Sequence, residues 1–230
     1  MSRYARLVRP GTVFHITARG NYRQAIFLSV EDRELYLSLF ERHSRNFGLT
    51  LLGWCLMTNH VHLLAIPEKS ESMAQTIKRA HSEYSSLVNR KHHRTSGHLW
   101  QSRFYSCPVQ GRYVWTALRY IELNPVRAGL SGTPEQYFWS TAKYHTDLEP
   151  PPAILDVQPW REVWTPEAWR EVLETQQDAL DIETLRRATQ RGAPLGAPEF
   201  THEFELEAGR SLQIRPVGRP RIPQRDKVSD

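Results

Sequence analysis

Two histidines one residue apart lie at the start of an apolar run, Asn59-His60-Val61-His62-Leu63-Leu64-Ala65-Ile66. If this run is a β-strand, His60 and His62 project from the same face, because alternate strand residues point the same way. Two neutral imidazoles about 7 Å apart along a strand can hold one divalent cation when a third ligand meets them. Histidines inside an apolar run are also often hydrogen-bonded core residues, so the pair alone leaves both interpretations open.

A second group of candidate residues lies further along the chain, on a segment with helical periodicity. Tyr113, Ala117, Tyr120 and Asn124 follow one another at intervals of four, three and four residues, which places them on one face of a helix. A phenol on that face could be a nucleophile, and the Asn124 carbonyl could be a neutral metal ligand. The alternatives are that the tyrosine is an amphipathic core residue and that Asn124 is a helix stop before Pro125.

The elements that must position these residues alternate between strand and helix periods. Ser29 is a candidate helix cap, and Pro125 is expected to end the last helix. The predicted order is strand 12–18, a helix after Ser29, strands 49–56 and 60–66, helix 70–89, a β-like stretch 99–109 and helix 112–123. This β-α-β-β-α-β order predicts an α+β fold, a ferredoxin-like split βαβ antiparallel sheet with helices on one face.

Charge is unevenly distributed along the 230 residues. Residues 1–147 contain 19 basic and 10 acidic residues, a net charge of +9. Residues 148–209 contain 5 basic and 13 acidic residues (−8), and residues 210–230 contain 6 basic and 2 acidic residues (+4). A basic first domain and a basic tail indicate a polyanionic partner, and a merely soluble basic protein is the plainer alternative.

These shifts divide the chain into a first domain over 1–147, an acidic, helical extension over 148–209 and a basic Pro/Gly tail over 210–230. Pro150, Pro151 and Pro152 mark the first linker. Helices are predicted over 164–180 and 182–191, and the tail is expected to be disordered when free. The 2 cysteines have no metal or redox spacing, and no apolar run is long enough to span a membrane, so we expect a reduced, cytoplasmic protein.

Four stretches of residues 1–147 together resemble the single-tyrosine HUH transposases, and most closely the REP-associated tyrosine transposases, relatives of the insertion-sequence enzymes. Their order along the chain is that of the family, whose fold is the ferredoxin-like sheet. The stretches are Arg19-Gly20-Asn21-Tyr22-Arg23-Gln24, Trp54-Cys55-Leu56-Met57-Thr58-Asn59-His60-Val61-His62-Leu63-Leu64, Leu99-Trp100-Gln101-Ser102-Arg103-Phe104 and Tyr120-Ile121-Glu122-Leu123-Asn124-Pro125-Val126-Arg127-Ala128-Gly129.

The resemblance implies a role for each candidate residue. His60 and His62 are the HUH pair, Tyr120 is the nucleophile, and Asn124 is the third ligand of a divalent metal, Mg²⁺ or Mn²⁺, at a position where other branches carry Gln. The implied reaction cleaves and rejoins single-stranded DNA next to a hairpin through a 5′-phosphotyrosine intermediate. No nucleotide cofactor is then required.

Basic residues are candidates for contacts with DNA phosphates. In the first domain they are Arg19, Arg23, Lys78, Arg79, Arg103 and Arg127. In the tail, Arg219 and Arg221 flank Pro220 in a stretch that resembles an AT-hook, which predicts contact with duplex DNA beside the hairpin. A solvated basic tail is the equal alternative. The alternating charge also predicts that the acidic extension covers the DNA-binding face when DNA is absent, so that its removal would speed cleavage.

Two other functions remain open: a non-catalytic protein that binds DNA hairpins with the same fold, and a metal-dependent hydrolase. REP-like repeats are one option for the hairpin, although the chain lacks the Gly-x-Trp opening associated with some REP-binding members, which argues against recognition of such a repeat. Family members occur as monomers and as dimers that exchange the tyrosine helix. We favour a monomer, although no residue decides the choice.

Overall fold

The computed structural model describes residues 6–93 and 98–213. Four strands form one sheet: β1 (Val13–Arg19), β2 (Leu49–Met57), β3 (His60–Pro67) and β4 (Tyr105–Val109). The helices of the described residues are α1 (Val30–Phe47), α2 (Ser72–Lys91), α3 (Arg112–Glu122), α4 (Asn124–Arg127), α5 (Ala142–His145), α6 (Gln158–Arg161), α7 (Pro166–Glu174), α8 (Ala179–Arg191) and α9 (Pro198–Ala208). None of them combines the length and the apolar character needed to cross a membrane.

The sheet has the predicted ferredoxin-like topology. Its strand order is β2-β3-β1-β4, and every neighbouring pair is antiparallel. Because β3 and β1 are the two central strands, each is flanked by a neighbouring strand on both sides and can be covered by helices on both faces. The histidine strand is therefore held from both sides along its length.

One face of the sheet is covered by α1 and α2, the two helices of the βαββαβ unit. Helix α1 begins after Ser29, whose side chain accepts a hydrogen bond from Asp32 N (3.3 Å), while the Asp32 carboxylate accepts one from Ser29 N (3.2 Å). This reciprocal cap satisfies two free donors of the first turn and confirms the predicted helix start. The buried residues of this layer include Phe14, Ile16, Tyr36, Phe40, Leu63, Met73 and Tyr84.

The opposite face carries α3, which packs on β2 and β3, together with α7 and α8 of the extension. Gly53 of β2 permits the close approach of α3, since a Cβ at this position would lie only 2.4 Å from Leu118 Cδ1. Trp169, Leu173 and Leu185 are buried in the same cluster as Leu118. The extension is thus part of the core on the second face of the sheet.

Main-chain hydrogen bonds also join the extension to both edges of the sheet. Leu195 N donates to Pro108 O on β4 (2.9 Å), and Asp156 N donates to Leu51 O on β2 (2.8 Å). Charge alone therefore does not attach the described part of the acidic segment, and the expectation that its removal speeds cleavage stays a prediction. Apolar burial and backbone pairing attach the segment to the domain.

Other boundaries differ from the predicted ones. Strand β4 begins only at Tyr105, and in the preceding β-like stretch Trp100 pairs with Gly20 in an isolated bridge. Pro125 does follow the end of α3, but it also stands in the first turn of α4, where proline is tolerated because its missing N–H needs no partner. The predicted disorder of the tail concerns residues that lie almost wholly outside the described ones.

Candidate active site

The two histidines lie on β3, with Arg19 opposite His60 and Thr17 opposite His62 on β1. The His60 and His62 ring centroids are 5.0 Å apart, with their planes at 78°. Both rings are on the face covered by α3 and the extension, as the alternation along a strand predicts.

Asn59 holds the first of these rings. Its Nδ2 donates to Arg23 O (3.0 Å), and since a carbonyl oxygen only accepts, this contact determines which end of the amide is the oxygen. Asn59 Oδ1 is then the acceptor for His60 Nδ1 (2.6 Å). The proton of a neutral His60 is therefore on Nδ1, and the lone pair on Nε2 is available to a ligand.

His62 is held by a longer chain of hydrogen bonds. Thr189 Oγ1 on α8 donates to Leu185 O (2.7 Å), so it accepts from His15 Nδ1 (2.8 Å). A neutral His15 then accepts through Nε2 from His62 Nδ1 (3.1 Å), and the two rings stack with centroids 5.3 Å apart. This chain also leaves the Nε2 lone pair of His62 available.

Tyr120 packs over the histidines from α3. Its ring centroid lies 5.5 Å from that of His62 and 5.8 Å from that of His15, both in edge-to-face geometry. Arg186 of α8 donates from Nε to the Tyr120 hydroxyl oxygen (3.2 Å).

Asn124 is buried one turn after Tyr120. Its Oδ1 accepts from Arg127 (2.8 Å), while its Nδ2 is buried without a hydrogen-bond partner. Among the described residues, no hydrogen bond joins Asn124 to His60 or His62. Asn124 follows Tyr120 by one helical turn, and its role as a third ligand stays a prediction.

Burial keeps the imidazoles of the site neutral. Desolvation lowers the pKa of His60 to about 4 and that of His15 to about 3, and it lowers the pKa of His62 well below its usual range. Nearby positive charge adds to the effect at His60 and His62. Desolvation also lowers the pKa of Arg127 to about 10, a value at which the guanidinium is still charged near pH 7.

The donors of the site fit a divalent cation that is completed by other ligands. His60 and His62 present two unprotonated nitrogens, and the Asn124 oxygen is a neutral donor. In the part of the chain that the structure describes, no three His, Cys, Asp or Glu side chains cluster as a metal site. Water or phosphate oxygens would therefore have to supply the remaining ligands and the negative charge.

The candidate DNA-contacting residues fall into two groups. Arg19 and Arg127 border the histidines and Tyr120, since Arg19 pairs with His60 across the sheet and the Arg127 guanidinium lies 4.3 Å from the Tyr120 ring centroid. Arg23 is exposed in the turn that Asn59 anchors. This first group could meet a DNA strand that enters the site.

The second group lies away from the tyrosine. Lys78 and Arg79 are exposed on α2, in the layer on the other side of the sheet, and Arg103 is exposed before β4. The structure does not bring these three together with the histidines. Arg219 and Arg221 lie outside the described residues.

The sequence did not predict the roles of four residues of the site. They are Asn59, as the hydrogen-bond acceptor for His60, and His15, Arg186 and Thr189. The alternation along β1 could have placed His15 on the same face as Thr17. Only the register of β1 against β3, in which Thr17 lies opposite His62, shows that this face is the one with His62. No sequence signal pointed to Arg186 or Thr189, which arrive from a helix more than a hundred residues after the histidines.

Comparison with known proteins places this geometry in a family. Residues 10–124, which contain His60, His62, Tyr120 and Asn124, match the family described as "Transposase IS200 like". The chain belongs to the IS200-like transposase family. Helix α8, and with it Arg186 and Thr189, follows the matched region of this transposase.

One solved structure shares the fold of this transposase, and another matches it more weakly. One is a REP-associated tyrosine transposase bound to a REP hairpin, 18% identical with a TM-score of 0.55, covering 68% of this chain and 92% of its own. Another is a candidate transposase from Deinococcus radiodurans R1, 20% identical with a TM-score of 0.34, covering 53% of this chain and 96% of its own. Among curated proteins, none matches in sequence.

Proposed function

We propose that this transposase is a metal-dependent strand transferase that cleaves and rejoins single-stranded DNA next to hairpins through a 5′-phosphotyrosine intermediate. The observation that carries the proposal is the placement of the Tyr120 ring 5.5 Å from His62, on the face where His60 and His62 each keep an unprotonated Nε2. The similar fold of a transposase that binds a REP hairpin supports a hairpin substrate.

In the cleavage step the Tyr120 hydroxyl oxygen attacks the phosphorus of one phosphodiester. The bond from the tyrosine oxygen to phosphorus forms as the bond from phosphorus to O3′ breaks. The phenol proton passes to water, and the departing O3′ takes up a proton to become a free 3′-hydroxyl. Because the phosphotyrosine keeps the energy of a phosphodiester, a 3′-hydroxyl can attack it in turn and rejoin the strands.

His60, His62 and Asn124 would hold the Mg²⁺ or Mn²⁺ ion, which when bound withdraws charge from the phosphate oxygens and orients the scissile bond. Asn59 and His15 keep the two imidazoles in the tautomer that a metal requires. Arg127 and Arg186 place positive charge beside the nucleophile, where the phosphate must arrive.

A covalent-adduct assay tests the proposal. The full chain is mixed with a hairpin oligonucleotide that carries a single-stranded flank and Mg²⁺ or Mn²⁺, and protein–DNA adducts are separated on a denaturing gel. Tyr120→Phe should abolish the adduct and preserve hairpin binding, because only one oxygen is removed. Tyr113→Phe is the matched control, because it is the same substitution two turns earlier on α3, and it should leave the adduct intact.

The other outcomes of this assay identify the competing functions. Hairpin binding without an adduct under either metal would indicate a non-catalytic binding protein. Cleavage that continues in Tyr120→Phe would indicate a hydrolase that uses water as the nucleophile. Either result would overturn the phosphotyrosine proposal.

A further inference from the structure

Helix α8 of the extension brings two polar side chains to the catalytic groups. Arg186 donates to the Tyr120 hydroxyl oxygen (3.2 Å), and Thr189 accepts from His15, which in turn contacts His62. Arg186 and Thr189 are three residues apart, so they share one face of the helix. One helix face thus reaches both the nucleophile and a histidine of the metal pair.

The helix is firmly held in this position. Its first turn is capped by Asp178, whose carboxylate accepts from Leu180 N (2.8 Å). Leu185 and Ala188 are fully buried in the core of the second sheet face. Thr189 also lies 3.3 Å from Cys107 Sγ on β4. A helix packed this way can fix side-chain positions far better than a surface loop.

We propose that α8 completes the active site, with Arg186 as a catalytic residue at the tyrosine oxygen and Thr189 as a positioning residue for His62. The inference rests on the proposed function, because it assigns roles within the same strand-transfer reaction. It makes the extension part of the catalytic machinery, although the matched family region ends at residue 124.

Arg186 acts where charge develops during the reaction. As the phenol loses its proton, negative charge grows on the oxygen that already receives the Arg186 Nε–H. A cationic donor at this oxygen stabilises that charge and keeps the oxygen directed toward the incoming phosphorus. Arg186 is otherwise exposed, so its charge is also accessible to the phosphate of a bound strand.

Thr189 acts through a chain of fixed donors and acceptors. Its own proton is committed to Leu185 O, which makes its oxygen an acceptor for His15. His15 is 1% exposed, and this burial keeps its ring neutral. Because its Nδ1 carries the proton that is donated to Thr189, His15 can accept from His62 only through Nε2. Removing the Thr189 hydroxyl frees His15 to change tautomer, and His62 then loses its constraint.

The role of Arg186 is tested by single-turnover adduct formation at saturating hairpin DNA. Arg186→Gln should slow the reaction about 10- to 100-fold, at or below the lower limit of the loss from removing one oxyanion donor, because the residue is exposed. Arg186→Lys, which keeps the charge but not the Nε–H, should recover part of the rate. Arg161→Gln, the same change at an exposed residue on α6, is the control. A rate for Arg186→Gln within twofold of that control would overturn its catalytic role.

The role of Thr189 is tested by the protonation pattern of His62, read from imidazole ¹⁵N shifts of the ¹⁵N-histidine-labelled full chain without metal. His62 should show a protonated Nδ1 in the unaltered protein and in Thr189→Ser, which keeps the hydroxyl. The nearly isosteric Thr189→Val should give a mixture of tautomers and a slower adduct reaction. Identical His62 shifts in Thr189→Val and the unaltered protein would remove the positioning role.

These measurements separate the inference from the proposed function. If the unaltered chain forms no Tyr120-dependent adduct, the proposed function is wrong, whatever the ¹⁵N shifts show. If the adduct forms but neither the Arg186 nor the Thr189 variants change their readouts, the function stands and the role of α8 is refuted.

Discussion

Glu122 is a buried carboxylate that ties the tyrosine helix to the extension, two residues after Tyr120. Its side chain is fully buried, and its Oε1 accepts from Thr141 Oγ1 (2.8 Å) and His145 Nδ1 (2.6 Å). Its Oε2 accepts from Trp169 Nε1 (2.8 Å) on α7. One side chain therefore satisfies three buried donors from two segments, the turn 141–145 and α7.

Glu122→Ala would leave all three donors buried without an acceptor. Hydrogen bonds to a charged group contribute about 1.5–3 kcal/mol each, and removing the carboxylate also relieves the cost of burying it. A buried donor left without an acceptor costs about 1–3 kcal/mol, so three of them, less the relief from burying the carboxylate, give a net loss of about 3–5 kcal/mol in the free energy of unfolding. In a chain of this size that lowers the melting temperature by about 10 °C. Glu122→Gln keeps one oxygen and the shape of the side chain, so its loss should be smaller.

Urea unfolding followed by far-UV circular dichroism and tryptophan fluorescence measures this loss. Glu162→Ala, which removes an exposed carboxylate of the extension, is the control and should change stability by less than about 0.5 kcal/mol. If Glu122→Ala costs less than about 1 kcal/mol, the network does not couple the tyrosine helix to α7 as we reason.

Four further outcomes are expected. The free energy of unfolding should fall as the pH drops from about 6.5 toward 4, by up to about 1.4 kcal/mol per pH unit for each histidine. Burial lowers the pKa of His15 to about 3 and that of His60 to about 4, below the unfolded value, so the unfolded chain takes up more protons than the folded one. Urea midpoints across pH measure this, and a slope unchanged in His15→Gln would contradict it. Gly53→Val should cost about 1–3 kcal/mol in urea unfolding, because it forces α3 away from β2; unaltered stability would disprove the close approach at Leu118. Raising salt from 50 to 200 mM should weaken hairpin binding at least about tenfold in fluorescence anisotropy, given the net +9 of residues 1–147, and a shallow dependence would argue against phosphate contacts. Removing divalent ions with EDTA should stop adduct formation on the gel while hairpin binding persists, and an adduct formed in EDTA would exclude the metal requirement.

Local patterns in the sequence were sufficient for the elements of the first domain. The alternation around His60 and His62 predicted a strand with both rings on one face, and Ser29 predicted the start of α1, because these signals depend only on neighbouring residues. The order of elements then restricted the sheet to the ferredoxin-like topology, since connections between adjacent strands follow few routes. The helical spacing likewise placed Tyr120 on the helix that covers the site, whereas Asn124 begins the next helix, α4.

The tertiary structure alone decided which groups meet that face. His15 reaches His62 only through the register of β1 against β3, and a shift by one residue would turn it to the opposite side of the sheet. The Oδ1 atom of Asn124 accepts a hydrogen bond from Arg127, a contact that the helical spacing did not predict. Arg186 comes from a segment that charge alone described as an acidic cover, because the net charge of a segment does not show which apolar residues it buries. The sequence determined the strand and helix that carry the histidines and the tyrosine, and long-range packing determined the partners that hold them, since those contacts join residues that no local pattern relates.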